Sequence, residues 1–371
     1  MDFEYNEEQQ LLADSVKRFI EKDYSFEARK KIVASDAGAS EAVWSTLAEM
    51  GLLALPIPAA HGGFGGGAVD LMGVMDALGA GLLVEPYLPT VMAARAVMLA
   101  GNAAQQAALL PAVAEGKKKL AFAQTEAHAR YDLDQVQLQA ESSGTGWTLN
   151  GEKRVVIGAP LADQLIVSAR TAQGISLFIV DANAAGVHMQ TYRTVDELRA
   201  ADVQFKGVKL PADALLGQSG AGLPIIEAVV DFATALICAE AIGAMRSAND
   251  ATLEYIKTRK QFGQPIGAFQ ALQHRMVDMV ISWEQARSMA CLACVKVDTE
   301  TNANERQRLV SAAKIRIADA ARHVSQESIQ LHGGMGMTEE MKVSHTFRRL
   351  SMIVQQFGDA DFHLERFASA A

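Results

Sequence analysis

Basic residues are in deficit: 34 Lys and Arg face 43 Asp and Glu, a formal net charge of -9. A chain of this sign repels nucleic-acid phosphates and acidic lipid surfaces, so neither nucleic acid nor membrane is an expected partner. Any anionic cofactor or substrate then needs local cations. Cysteine is scarce, with only Cys238, Cys291 and Cys294. Three thiols are too few for a disulfide framework at this length, which fits a reducing compartment, and the cytoplasm is expected. Cys291 and Cys294 form a C-x-x-C with no second pair and no nearby histidine, so they read as two small core residues one helical turn apart. Long uninterrupted apolar runs are absent. The richest stretch, residues 223–245, is broken by Glu227, Asp231 and Glu240 and reads as a buried helix rather than a membrane span. The opening residues are acidic where an export signal is basic, so no such signal is read.

Several catalytic signatures are also missing. There is no H-E-x-x-H, and His363 with Glu365 cannot supply a metal set alone. No G-x-S-x-G elbow supports a serine hydrolase. The glycine run from Gly62 to Gly67 follows no strand and lacks the Lys-Ser/Thr ending of a phosphate loop, so it reads as a flexible loop.

Half of the 371 residues are apolar, enough for two or three domains. Over residues 1–119 the periodicity is helical, with Leu11, Leu12, Val16, Phe19 and Ile20 on one face. Over 120–220 the period changes to two. Trp147–Leu149, a turn at Asn150-Gly151 and Val155–Ile157 read as a hairpin, and strands follow at 165–169, 175–180, 187–192 and 203–210. Over 221–371 long helices return: Ile242, Met245, Leu253 and Ile256 share one face, Met276, Val280, Trp283 and Ala290 another. A helix over about 305–330 stops at Gly333, Gly334 and Gly336, and a last one follows Asp359. The expected architecture is mainly α with a central β-barrel domain.

Two helix ends are candidate binding elements. In Thr258-Arg259-Lys260-Gln261-Phe262-Gly263 the cations complement a helix C-terminus or grip a pyrophosphate, and Phe262 packs against a ring system in the second reading. The segment Gln330-Leu331-His332-Gly333-Gly334-Met335-Gly336 is a C-cap whose bare backbone also allows a bulky ligand to approach closely.

Phe122-Ala123-Gln124-Thr125-Glu126, Arg259 to Ile266 and Gln330 to Gly336 occur in the order and spacing of the acyl-CoA dehydrogenases, and the chain resembles that family over essentially its whole length. The opening and Arg130-Tyr131-Asp132 resemble the bacterial small-subunit type known as pimeloyl-CoA dehydrogenase. The resemblance implies an α-helical N-domain, a β middle domain and a C-terminal four-helix bundle, with FAD bound between blocks and completed by a neighbouring subunit. It places Phe122, Gln124 and Thr125 at the isoalloxazine edge and Val155, Val156 and Ile157 on its other side. Arg259, Phe262, Gln270, Gln330, Gly333 and Gly334 would reach a partner's FAD, Asp359 and Asp361 the diphosphate of the chain's own, and Tyr131 and Asp231 the acyl-CoA.

The family reaction takes an α-proton onto a carboxylate while a β-hydride goes to the flavin, which passes electrons to an electron-transfer flavoprotein. Here the sequence departs from the pattern. Phe357 stands where many members carry the glutamate, and Ala233 where others carry it. Glu240, two turns beyond Ala233, and Asp359 are the remaining carboxylates in reach. Glu240 is a displaced base or an interhelical salt bridge. The resemblance therefore implies an acyl-CoA dehydrogenase subunit in a homo- or hetero-tetramer. A flavin monooxygenase or oxidase on the same fold, or a non-catalytic partner subunit, are the alternatives.

Overall fold

The computed structural model describes residues 5–370. Six helices open the chain: α1 (Glu7–Lys22), α2 (Phe26–Ala34), α3 (Glu41–Glu49), α4 (Ala68–Gly81), α5 (Tyr87–Ala100) and α6 (Ala103–Ala114). Seven main strands follow: β1 (Leu120–Ala123), β2 (Gln139–Ser142), β3 (Gly146–Ile157), β4 (Gln164–Thr171), β5 (Gly174–Asp181), β6 (Val187–Arg193) and β7 (Arg199–Pro211). The chain closes on α7 (Gly222–Thr258), α8 (Gln270–Thr299), α9 (Ala303–His332), α10 (Lys342–Gln355) and α11 (Ala360–Ser369). No described helix is long and apolar enough to cross a membrane.

Local chemistry sets the helix starts. Asn6 and Asn102 each accept from the third residue of their helix while Gln9 and Gln105 reach back, two complete capping boxes. Asp359 caps α11 by accepting from Phe362 N at 2.9 Å. In α1, Val16, Phe19 and Ile20 are buried as the pattern requires, but Leu11 is 62% exposed. Val280 of α8 is likewise outward. Periodicity places a residue on a face and does not say that something covers it.

Two compact units divide the chain. One comprises the described residues of Met1–Lys30, Gly67–Leu83 and Thr234–Ala371, the other Lys31–Gly66 and Val84–Ala233. In the first, α4 and α7 touch backbone to backbone. A Cβ on Gly79 would lie 2.0 Å from the Glu240 carbonyl oxygen, and one on Gly243 would lie 1.7 Å from that of Asp76, so only glycine permits the approach. Asp298 of α8 accepts from Ala68 N and Val69 N, both at 3.0 Å, and serves the start of α4 from a distant element. The cysteines are buried free thiols on α7 and α8, in accord with the core reading.

The second unit holds the sheet. Its order is β6-β7-β3-β2-β4-β5, with β1 added to β4 in parallel and a short strand, Leu215–Leu216, on β5. Buried Leu149, Val167, Phe178, Val203 and Phe205 lie at its centre. The expected hairpin at Asn150-Gly151 does not form. β3 runs continuously past it and pairs with β7 on both sides, with a register shift between Leu149 and Asn150. Asn150 Oδ1 accepts from Gly207 N at 2.8 Å, so the asparagine serves the neighbouring strand. The tight hairpin is instead β4–β5, closed where Thr171 pairs with Gly174. The glycine run is not loose either: Phe64 N, Gly65 N and Gly66 N donate to the carbonyls of Ala54, Ile57 and Leu55 and fold the segment onto itself.

Candidate functional site

Within the sheet unit, two polar clusters flank the segments expected to meet a flavin. The first lies behind Gln124-Thr125-Glu126, just past the end of β1. Alternation along β3 turns Lys153 inward, where it is fully buried. Its Nζ donates to Glu126 Oε1 at 2.7 Å, Ser168 Oγ at 2.8 Å and the Gln124 carbonyl at 3.2 Å. The carboxylate also accepts from Gln137 N and Leu138 N, at 2.9 and 3.1 Å. Burial opposes the charge on Glu126, but the Lys153 ammonium and the two backbone N–H groups outweigh it and hold the carboxyl below its usual range. A buried ion pair with all its partners present fixes geometry more than it adds stability. What it fixes here is the path of Gln124. The Gln124 side-chain oxygen is itself buried with no hydrogen-bond partner.

The second cluster surrounds Val155. The β3–β7 register shifts between Lys153 and Val156, so Arg154 and Val155 together oppose Asp202 in a bulge. Val155 has φ 50° and is 45% exposed. A β-branched residue in the left-handed region is an outlier worth about 1–3 kcal/mol, and such strain persists only where the surroundings impose it. Asp202 Oδ1 accepts from Val155 N at 3.0 Å and from Tyr192 Oη at 2.9 Å, while Oδ2 accepts from Arg154 Nη1 at 2.5 Å. Burial works against the Asp202 charge, yet these donors keep its carboxyl below the usual range. Burial, then the Asp202 bond, push the Tyr192 phenol up to about 12. Val156 and Phe122 are buried, and Ile157 and Thr125 half-buried, along the same edges.

The helical unit places the remaining expected residues at helix ends. Arg259 follows α7, and its carbonyl accepts from Ile266 N, closing a small hairpin. At the tip of that hairpin Phe262 is 90% exposed with φ 54°. Gln270 opens α8, exposed. Gln330 is exposed near the end of α9, and a Cβ added to Gly333 or Gly334 would meet nothing within 4 Å. Gly333 caps α9 with φ 59°, a conformation that favours glycine, whereas Gly334 has no such constraint. Tyr255 of α7 stacks on His332 of α9 at 4.4 Å between ring centres, tying the two helix ends together. Asp361 is exposed, and Asp359 Oδ1 accepts the cap bond from Phe362 N. Tyr131, in the sheet unit, lies half-buried under the Arg130 guanidinium at 5.3 Å, and Asp231 is fully buried in α7.

Glu240 is held in a buried ion pair. Arg349 of α10 grips it as a fork, Nε to Oε1 at 2.5 Å and Nη2 to Oε2 at 2.8 Å, with both side chains at least nine-tenths buried. Both carboxylate oxygens are engaged by the guanidinium. This geometry is that of the salt-bridge alternative.

The loop carrying Phe357 is held from behind by Lys314 of α9, a residue the sequence did not single out. Fully buried, its Nζ donates to the carbonyls of Val354, Gln356 and Gly358 at 3.3, 2.8 and 2.7 Å. Burial brings the Lys314 ammonium down to about 8. Phe357 takes φ 63° in this loop. Buried His363 stands behind Gly358, with Nδ1 3.1 Å from Ser311 Oγ. A cavity of about 570 Å³ between α1, α4, α7 and α8, lined among others by Tyr5, Trp283 and Arg287, includes none of the expected site residues.

The chain matches the acyl-CoA dehydrogenase N-terminal domain over residues 6–117, the middle domain over 121–208 and the C-terminal domain over 220–370. It is similar to the caffeyl-CoA reductase–Etf complex subunit CarC of Acetobacterium woodii, 29% identical over 355 residues, covering 93% of each chain. It is similar in structure to a chain of the ChsE4–ChsE5 complex from Mycobacterium tuberculosis, with TM-score 0.91, 26% identity and coverage of 100% of this chain and 98% of that one. The FAD complex of PigA has TM-score 0.91, 26% identity and the same coverages. The chain belongs to the acyl-CoA dehydrogenase family and has its fold: a helical N-terminal domain, a β middle domain and a helical C-terminal domain. It is an oxidoreductase of flavoprotein kin.

Proposed function

We propose that this chain is an FAD-binding subunit of an acyl-CoA dehydrogenase that acts on an acyl-CoA thioester within a tetramer, of the bacterial pimeloyl-CoA small-subunit type. Its catalytic carboxylate comes from another chain. The observation that carries the reading is the pairing of an intact binding edge with a missing base: Val155 is held in a strained bulge and Gln124 over a buried ion pair, while Phe357 stands at the family's glutamate position and Glu240 is locked by Arg349. The functional division follows residues 1–119, 120–220 and 221–371.

The residues fit FAD. The unpartnered Gln124 oxygen is an acceptor for a ring N–H, and the bulge at Val155–Ile157, exposed at Val155, offers a second edge. Thr125 and Phe122 adjoin the first edge. Arg259, Phe262, Gln270, Gln330, Gly333 and Gly334 are exposed at helix ends and suit the diphosphate and adenosine of a neighbour's cofactor, which supports an assembly. Asp359 and Asp361, together at the start of α11, would serve the diphosphate of the chain's own FAD. When bound, FAD supplies the hydride acceptor. The protein orients it and keeps the edges rigid. Tyr131 and Asp231 serve the substrate. The likeness to an Etf-complex subunit supports an electron-transfer flavoprotein as acceptor, and the likeness to a chain of ChsE4–ChsE5 supports a heteromeric assembly.

The test is purification of the chain alone and with a co-expressed longer homologue. Bound flavin that acyl-CoA bleaches only in the mixed complex is the expected result. A colourless protein in both preparations removes the flavin assignment, and rapid oxygen-dependent turnover with hydroxylation would place the chain with the monooxygenases instead.

A further inference from the structure

The carboxylate of Asp202 touches nothing that the sequence marked as functional except Val155. Its three acceptor bonds converge from two strands and a bulge: Val155 N from β3, Arg154 Nη1 from β3 and Tyr192 Oη from β6. In the β3–β7 ladder, Lys153 pairs with Val203 and Val156 with Ala201. Asp202 therefore lies opposite the two extra residues and is the only β7 residue between those pairs. Arg154 is tied a second time, its backbone N donating to the Thr125 carbonyl at 2.8 Å, so the bulge also links the two edges. A valine does not adopt φ 50° by preference, and the residue is 45% exposed, so close packing is not what stands out as holding it there; the bond to Asp202 is.

We propose that Asp202, with Tyr192 as its brace, is a positioning residue that pins Val155 in the left-handed conformation and so presents the backbone of residues 155–157 to the cofactor. Without the pin, Val155 relaxes toward extended backbone and the bulge slides along β7, moving the backbone of residues 155–157 from the position it now holds. This rests on the flavin reading above for what the edge binds, but the pin itself is a property of the free chain.

The experiment uses the full chain with four variants: Asp202→Ala, Asp202→Asn, Val155→Gly and the double variant Asp202→Ala/Val155→Gly. Amide hydrogen exchange at Val155 without added flavin reads the pin, and flavin fluorescence titration reads its consequence. Asp202→Ala should speed exchange at Val155 and weaken FAD binding, each by about tenfold or more, which corresponds to roughly 1.4 kcal/mol. Asp202→Asn keeps an acceptor for Val155 N and should recover most of both. In the Val155→Gly background, where left-handed backbone is free of strain, Asp202→Ala should cost little further affinity. A purely structural role for Asp202 would instead lower the melting temperature without this coupling. Unchanged exchange at Val155 in Asp202→Ala overturns the pin. Changed exchange with no FAD binding by any variant, the unmodified chain included, upholds the pin and overturns the flavin reading.

Discussion

Replacing Glu240 by Gln separates a structural carboxylate from a catalytic one. The unaltered fork comprises two charge-assisted hydrogen bonds between side chains that are 6% and 9% exposed. Bonds of this kind contribute about 1.5–3 kcal/mol each, and leaving one member of a buried pair alone costs about 3–5 kcal/mol. Glu240→Gln keeps an acceptor for one guanidinium N–H, so its expected cost is toward the lower figure, about 2 kcal/mol. Arg349→Met strands the carboxylate and should cost about 3–5 kcal/mol, roughly 10 °C in melting temperature for a unit of this size. Glu240→Leu/Arg349→Met removes both charges and should recover most of that loss. Urea unfolding of each variant gives the stabilities, and anaerobic bleaching of the flavin in the assembled complex gives the chemistry. If Glu240→Gln retains its stability and loses bleaching by about 100-fold or more, Glu240 is the proton acceptor after all and the structural assignment is refuted.

Phe357→Glu should give the chain acyl-CoA-dependent bleaching on its own, faster than the parent by about 10²- to 10⁴-fold, as followed by stopped-flow absorbance. A flavin-loaded variant that stays inert would mean that the loop does not face the substrate. Lys314→Met leaves three carbonyls of that loop without their donor and should cost up to about 3 kcal/mol, with faster amide exchange at Phe357 to Asp359. Intact protection there would show that the lysine does not hold the loop. Acid should weaken the fold through His363, whose pKa burial takes down to about 3 from an unfolded value near 6.5. The unfolded chain then binds the extra proton first, so this residue's contribution is complete above pH 6.5 and declines as the pH falls toward 3. Between pH 6.5 and 5 the loss is about 2 kcal/mol, measurable as a shift in urea midpoint, and His363→Gln should remove most of it.

The helical and strand blocks were legible because burial imposes period 3.6 or 2 on the residues themselves. Asn6, Asn102 and Asp359 mark helix starts for equally local reasons. Asn150-Gly151 misled because the same dipeptide that closes a hairpin also suits an irregular strand, and the choice lay with β7. Lys153 carried a faint signal: alternation along β3 places it inward, and an inward lysine requires a partner. That its partner is Glu126, 27 positions away, could not be read from spacing.

The order of motifs in the sequence determined the family and the three-block architecture, because those properties are written position by position along the chain. The fate of the charged side chains was decided only in the tertiary structure. Glu240 faces Arg349 across 109 positions, Lys314 meets a loop some 40 positions on, and Asp202 finds Val155 through a bulge that neither strand encodes alone. Whether a carboxylate is a base, a salt bridge or a pin depends on which donors surround it, and those donors arrive from elements that only folding brings together.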